Sequence, residues 1–191
     1  MAYREGYFSD ARTLQPQAES RTLCFTGADE NLIATSLDRI AHEIGGELRG
    51  ASPSLTIDRV ATDSRGASPG ALFVALQGQQ SDGHRFLGDA FRNGATAALI
   101  AQERLNGLAL DPAWPVIVVP DPLRGLQALA QWHRRNYFQR VLAITGSNGK
   151  TIVKDALKAL LAGRQLLASP GSYNSQLGLP LAVLSAEKPE P

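Results

Sequence analysis

Two periods of hydrophobic and polar positions run through this chain. Short continuous apolar runs at residues 71–76, 96–101 and 116–119 read as buried strands, and residues 55–61, with Ile57 and Val60, add another. Between them the spacing is helical. Leu37, Ile40, Ala41 and Ile44 mark a helix from Ser36 that Gly45-Gly46 ends. Asp82-Gly83-His84 turns the chain into a helix through Phe86, Leu87, Ala90 and Phe91, closed by Asn93-Gly94. Asp121-Pro122 opens a helix carrying Leu123, Leu126, Leu129, Ala130 and Trp132, with proline at a first helical position. Strands alternating with helices predict an α/β fold.

The pattern changes after residue 137. Residues 141–144 are apolar and read as a strand, a glycine turn follows, and a helix opens at Lys150 through Val153, Ala156, Leu157, Leu160 and Leu161. Residues 166–168 read as a short strand, 169–174 as a polar turn and 177–184 as an apolar segment. Three regions follow: an ill-defined extension over 1–34, a small α/β domain over 35–121, and a connecting helix with the start of a second parallel-sheet domain over 122–191. One strand, one helix and one short strand bury too little to cover both faces of a parallel sheet, so the second domain is expected to be incomplete.

Composition narrows the partners. With 19 basic and 18 acidic residues in 191, there is no electrostatic reason to expect nucleic acid or an anionic membrane. No apolar stretch reaches membrane-span length, no signal-peptide layout begins the chain, and Cys24 is the one cysteine. A soluble cytoplasmic protein is the expectation.

Candidate chemistry sits at three places. In Thr145-Gly146-Ser147-Asn148-Gly149-Lys150-Thr151, a glycine turn leads from a strand into a helix. That arrangement aims backbone N–H groups and the positive helix end at one point, which suits phosphate. Lys150 would reach the outer phosphates and Thr151 a magnesium ion. The strict P-loop spelling has glycine where this chain has Ile144, so the loop is a shortened variant. The second place pairs Asp63-Ser64-Arg65 with Gln79-Gln80-Ser81-Asp82-Gly83-His84, both at strand ends, where open α/β sheets bind ligands. Arg65, the Ser64 and Ser81 hydroxyls and the two glutamines suit a phosphorylated or uracil-like ligand. Two ordinary turns capped by Asp63 and Asp82 explain the same residues. His84 has no neighbouring His or Cys in sequence to suggest a metal, and a cap or surface position is its ordinary reading. The third is Ser172-Tyr173-Asn174-Ser175-Gln176-Leu177-Gly178-Leu179-Pro180-Leu181, either a polar cap before an apolar helix or amides offered to a polar substrate.

Together these stretches resemble the Mur ligases, the ATP-dependent amide-forming enzymes of peptidoglycan synthesis. Residues 145–151 resemble the family's ATP loop. Asp63-Ser64-Arg65, the run Pro69-Gly70-Ala71-Leu72-Phe73-Val74-Ala75-Leu76-Gln77-Gly78, Asp82-Gly83-His84 and Gly94-Ala95 resemble its UDP-sugar domain. Asn174-Ser175-Gln176-Leu177-Gly178-Leu179-Pro180-Leu181 is most similar to the branch that joins D-alanyl-D-alanine to UDP-N-acetylmuramoyl-tripeptide. Ser172-Tyr173-Asn174-Ser175-Gln176 and Ile152-Val153-Lys154 are similar to versions fused to an alanine racemase.

The resemblance implies roles. Ser64, Arg65, Gln79, Gln80 and Ser81 would hold the UDP part, and Asn174 and Ser175 would approach the muramoyl-peptide. Gly146, Ser147, Asn148, Gly149, Lys150 and Thr151 would bind ATP, with Thr151 on magnesium and Lys150 and Thr151 catalytic. The implied chemistry is an acyl phosphate on the tripeptide carboxylate, attacked by the D-alanyl-D-alanine amine. The alternatives are the branch that adds the third peptide residue and a non-catalytic nucleotide or UDP-sugar binding module. This chain has Ile152 where the family usually has a second threonine, and its extension matches no family counterpart. It ends before the family's magnesium-binding glutamate, modified lysine and C-terminal domain. Isolated, it is therefore expected not to ligate, the missing domains lying in cis or on a separate chain.

Overall fold

The computed structural model describes residues 31–50, 54–78, 81–108, 110–138, 140–162, 168–169 and 175–185. Expectations placed on residues 1–30, on Gln79, Gln80 and Asn174, and on most of the short strand at 166–168 lie outside these.

Six strands form one sheet among the described residues: β1 (Asn31–Ser36), β2 (Glu47–Arg49), β3 (Thr56–Ala61), β4 (Ala71–Val74), β5 (Ala97–Ala101) and β6 (Val116–Val119), in the order β1-β3-β4-β5-β6-β2. The centre is parallel, with Val60 opposite Leu72, Phe73 opposite Ala98 and Leu99 opposite Ile117. The two outer strands run antiparallel to their neighbours. Every residue of β4, β5 and β6 is buried. A parallel sheet covered on both faces requires this, and it is why these strands show as unbroken apolar runs.

Alternate residues serve opposite faces. Leu72, Val74, Leu99, Ile117 and Val119 share one core with Leu37, Ile40 and Ala41 of α1 (Leu37–Ile44) and Leu126 and Leu129 of α3 (Pro122–Tyr137). Phe73, Ala98, Ile100, Val116 and Val118 share the other with Leu87 and Ala90 of α2 (Leu87–Arg92). The Phe91 and Trp114 rings stack at its rim, 4.6 Å between centroids.

Helix ends follow the sequence signals. Gly45, at φ 68°, occupies the left-handed position after α1, and the Gly46 N–H returns to the Ala41 carbonyl at 2.8 Å. Asp121 caps α3, its Oδ1 accepting from the Leu123 N–H at 2.8 Å.

Three features depart from the expectations. β1 begins at Asn31, inside the stretch assigned to the extension, and pairs with β3. The helix expected to connect two domains buries its apolar face on the first sheet. Residues 141–144 form no strand: Val141 and Leu142 are exposed and no described strand pairs with them. An apolar run becomes a strand only where neighbours take up its backbone groups. α4 (Lys150–Leu160) likewise buries no residue, whereas α5 (Gly178–Leu184) packs Leu181 and Leu184 into the core beside α3.

Candidate functional site

The loops after β3 and β4 leave the carboxyl edge of the parallel strands side by side. After β3, Asp63 accepts from the Arg65 backbone N–H at 3.0 Å and opens a 3-10 turn, Ser64–Gly66. The Arg65 guanidinium folds onto the same carboxylate, Nη2 donating to Oδ2 at 2.5 Å. Hydrogen bonds from the Arg65 side chain, then its backbone N–H, hold the Asp63 carboxyl down at about 2. Arg65 is thus paired within its own turn while remaining exposed. Ser64 is buried, and its carbonyl accepts from Asn93 Nδ2 at 2.8 Å, tying the loop to the end of α2.

After β4 the chain reverses sharply. The Gly78 N–H donates to the Ser81 carbonyl at 2.9 Å and the Gly83 N–H to the Leu76 carbonyl at 2.8 Å. Ser81 stays exposed at the edge. Asp82 accepts from the His84 backbone N–H at 3.0 Å, so both carboxylates cap turns, as the simpler reading of these residues has it.

His84 is buried rather than at the surface. Its Nδ1 lies 2.6 Å from Asp82 Oδ1, and its Nε2 accepts from the Ala101 backbone N–H at 2.9 Å. Arg104 Nη2 reaches Asp82 Oδ2 at 3.3 Å. Burial pushes the Asp82 carboxyl up, but the hydrogen bonds from His84 and the Arg104 charge outweigh it and hold it below the usual carboxylate value. Sequence reasoning missed Asn93, Arg104 and the burial of His84. The Asp-x-His spacing was the available signal.

The glycine loop has a different character. Gly149 sits at φ 78° just before α4, and nothing lies within 4 Å of where its Cβ would be. A β-carbon there would be strained by the backbone alone. Lys150 Nζ donates to the Gly146 carbonyl at 2.6 Å and the Ser147 carbonyl at 3.3 Å. Ser147, Asn148 and Thr151 are exposed. Open space beside the loop, a helix N-terminus and a lysine held only by exposed carbonyls fit a phosphate ligand. No group of three or more His, Cys, Asp or Glu side chains able to hold a metal occurs among the described residues.

Ser175 caps α5, its Oγ accepting from the Gly178 N–H at 2.8 Å. Gln127 Nε2 donates to the Gln176 carbonyl at 3.2 Å, pinning the start of α5 to α3.

The chain is similar to known proteins over most of its length. The model of the Mur ligase family, catalytic domain, matches residues 56–135. The UDP-N-acetylmuramoyl-tripeptide–D-alanyl-D-alanine ligase of Escherichia coli K12 is 37% identical over 154 residues, covering 80% of this chain and 32% of that protein. The crystal structure of MurF from Acinetobacter baumannii superposes with TM-score 0.73 at 30% identity, covering 83% of this chain and 34% of that one. MurF ligase from Thermotoga maritima, solved in complex with ADP, gives TM-score 0.57 at 32% identity over 65% of this chain and 28% of that one. The chain thus spans about a third of the length of the relatives it matches. Motifs, family-model match, sequence relatives and fold agree in what the chain is similar to, the Mur ligase family.

Proposed function

We propose that these residues form the N-terminal part of an ATP-dependent ligase that adds D-alanyl-D-alanine to UDP-N-acetylmuramoyl-tripeptide in the cytoplasm. The observation that carries this reading is the 37% identity over 154 residues to a ligase of that name. The carboxyl-edge loops are the UDP side: Ser64, Arg65 and Ser81, with Gln79 and Gln80, hold the uridine diphosphate. Arg65 can serve only by leaving Asp63 or by offering the part of its guanidinium that Asp63 does not use. Asn174 and Ser175 approach the muramoyl-peptide, Ser175 with a hydroxyl already engaged by Gly178.

Gly146, Ser147, Asn148, Gly149, Lys150 and Thr151 hold ATP. Lys150 exchanges the Gly146 and Ser147 carbonyls for phosphate oxygens. Magnesium on Thr151 would supply charge neutralisation at the phosphates. That the Thermotoga relative was solved in complex with ADP supports an adenine nucleotide as a ligand. In the reaction, the tripeptide carboxylate takes the terminal phosphoryl group of ATP, and the D-alanyl-D-alanine amine displaces phosphate to form the amide. The remaining two-thirds of the ligase, in cis or as a separate chain, completes the amine site.

The test follows ADP and phosphate release from the 191-residue chain with UDP-N-acetylmuramoyl-tripeptide and D-alanyl-D-alanine, beside direct binding of the UDP substrate. Binding without turnover is expected. Robust turnover would refute the assignment of these residues to a part only. Binding of UDP-N-acetylmuramoyl-dipeptide in preference to the tripeptide would move the chain to the branch adding the third peptide residue.

A further inference from the structure

We infer that His84 is a positioning residue for the UDP-binding loop. With Asp82 and Arg104 it forms a latch that fixes the loop after β4 to the end of β5. The inference rests on the reading of that loop as the UDP side of the site.

Hydrogen-bond bookkeeping settles the imidazole's form. The Ala101 backbone N–H can only donate, so Nε2, 2.9 Å away, must accept. Nδ1 then carries the hydrogen and donates it to Asp82 Oδ1 at 2.6 Å. The buried ring is thereby a neutral bridge with both nitrogens engaged. The other Asp82 oxygen receives Arg104 Nη2, from the 3-10 turn Gln102–Gly107 that follows β5. The His84 ring and the Arg104 guanidinium, from two 3-10 turns, therefore converge on one carboxylate.

This geometry acts on the loop. Two anchors hold the described end of this loop: the Gly83 N–H on the Leu76 carbonyl, and Asp82 on His84. Ser81 lies next to the second anchor. Neither His84, buried under the loop, nor the Ala101 N–H is open to a ligand, so their effect on binding passes through where the loop is held. A second tie, from Asn93 to the Ser64 carbonyl, fixes the neighbouring loop in the same manner. Both ligand-facing loops are set by side chains that do not themselves face the ligand, which is how a binding edge is kept ordered before its ligand arrives.

The experiment compares the 191-residue chain with His84→Gln and Arg104→Met, using UDP-N-acetylmuramoyl-tripeptide as titrant. Glutamine carries an acceptor and a donor, but on a freely rotating side chain that does not hold the Ala101 and Asp82 bonds together as the rigid ring does, and Arg104 is partly exposed, so its variant leaves the core intact. Three readouts are taken: Kd, amide exchange over residues 76–83, and the ring 15N spectrum of the unsubstituted protein. Expected are an Nδ1-protonated ring, faster loop exchange in both variants, and for His84→Gln a Kd weakened about tenfold, the scale of one lost hydrogen bond's placement. Exchange in α3 is expected to stay unchanged. An Nε2-protonated ring, or His84→Gln binding and exchanging like the unsubstituted protein, overturns the inference. Failure of the unsubstituted, folded protein to bind the UDP compound defeats the functional reading instead. The latch is then judged on exchange alone: acceleration confined to 76–83 upholds it, and no acceleration or a uniform one overturns it.

Discussion

Replacing Lys150 by alanine separates the nucleotide reading from a structural one. In the protein, Lys150 Nζ holds the Gly146 carbonyl at 2.6 Å and the Ser147 carbonyl at 3.3 Å, both on exposed residues. Solvent screens such contacts, so their loss costs roughly 0–1 kcal/mol. α4 buries no side chain, so a loosened loop does not open the core. The ligand side is larger. A hydrogen bond to a charged group is worth about 1.5–3 kcal/mol, and a triphosphate lies near the top of that range. Subtracting about 1 kcal/mol for leaving the two carbonyls gives about 1.5–2 kcal/mol, or roughly 10- to 30-fold in Kd. Calorimetric titration with ATP and magnesium measures this, beside thermal melts of both proteins. Equal ATP affinity in two folded proteins refutes the phosphate role. A melting temperature lowered by about 5 °C or more refutes the claim that the lysine is structurally dispensable.

Leu184, fully buried from α5, and Leu160, exposed on α4, make a matched pair. Leu184→Ala is expected to cost roughly 2–5 kcal/mol in denaturant unfolding and Leu160→Ala within about 0.5 kcal/mol of nothing. Removing the α3 cap with Asp121→Ala should cost about 1 kcal/mol by the same measurement, because its Oδ1 accepts from two backbone N–H groups. Acid titration of stability tests the Asp82 latch. Its folded-state carboxyl is held below 3.8, so its contribution is present above that value and is lost as pH falls through the lower folded one. Asp82→Asn should flatten the acid limb below about pH 4, and an unchanged limb would show that the carboxylate is not held down.

The sequence made the central sheet visible because burial on both faces leaves no polar position to interrupt β4, β5 and β6. It hid β1 and β2 for the opposite reason. They are edge strands, and β2, three residues long, places a single leucine between Glu47 and Arg49. Residues 141–144 misled because apolar composition measures what a segment can bury, not what stands ready to pair with it. At the candidate site, the residue types were legible and their engagements were not. Arg65 looked like a ligand contact, yet an aspartate two residues earlier turned it back on its own turn. His84 looked like a cap residue because periodicity carries no trace of the Ala101 N–H, 17 residues away, that fixes its ring.

The two halves of the proposed site are built by unlike means, and this bears on how they can fail. The UDP edge is set by buried, long-range ties, from Asn93 to Ser64 and from His84 to Ala101, anchored in the same cores that hold the sheet together. Damage to those cores must therefore reach the UDP ligand. The glycine loop is set by contacts within five residues, from Gly146 to Lys150, beside a helix that contributes nothing to either core. A substitution in those cores such as Leu87→Ala should then weaken the UDP ligand before it touches ATP, and Lys150→Ala should do the reverse. A core variant that lost ATP affinity first, while its UDP affinity held, would mean that the loop draws its shape from the sheet after all.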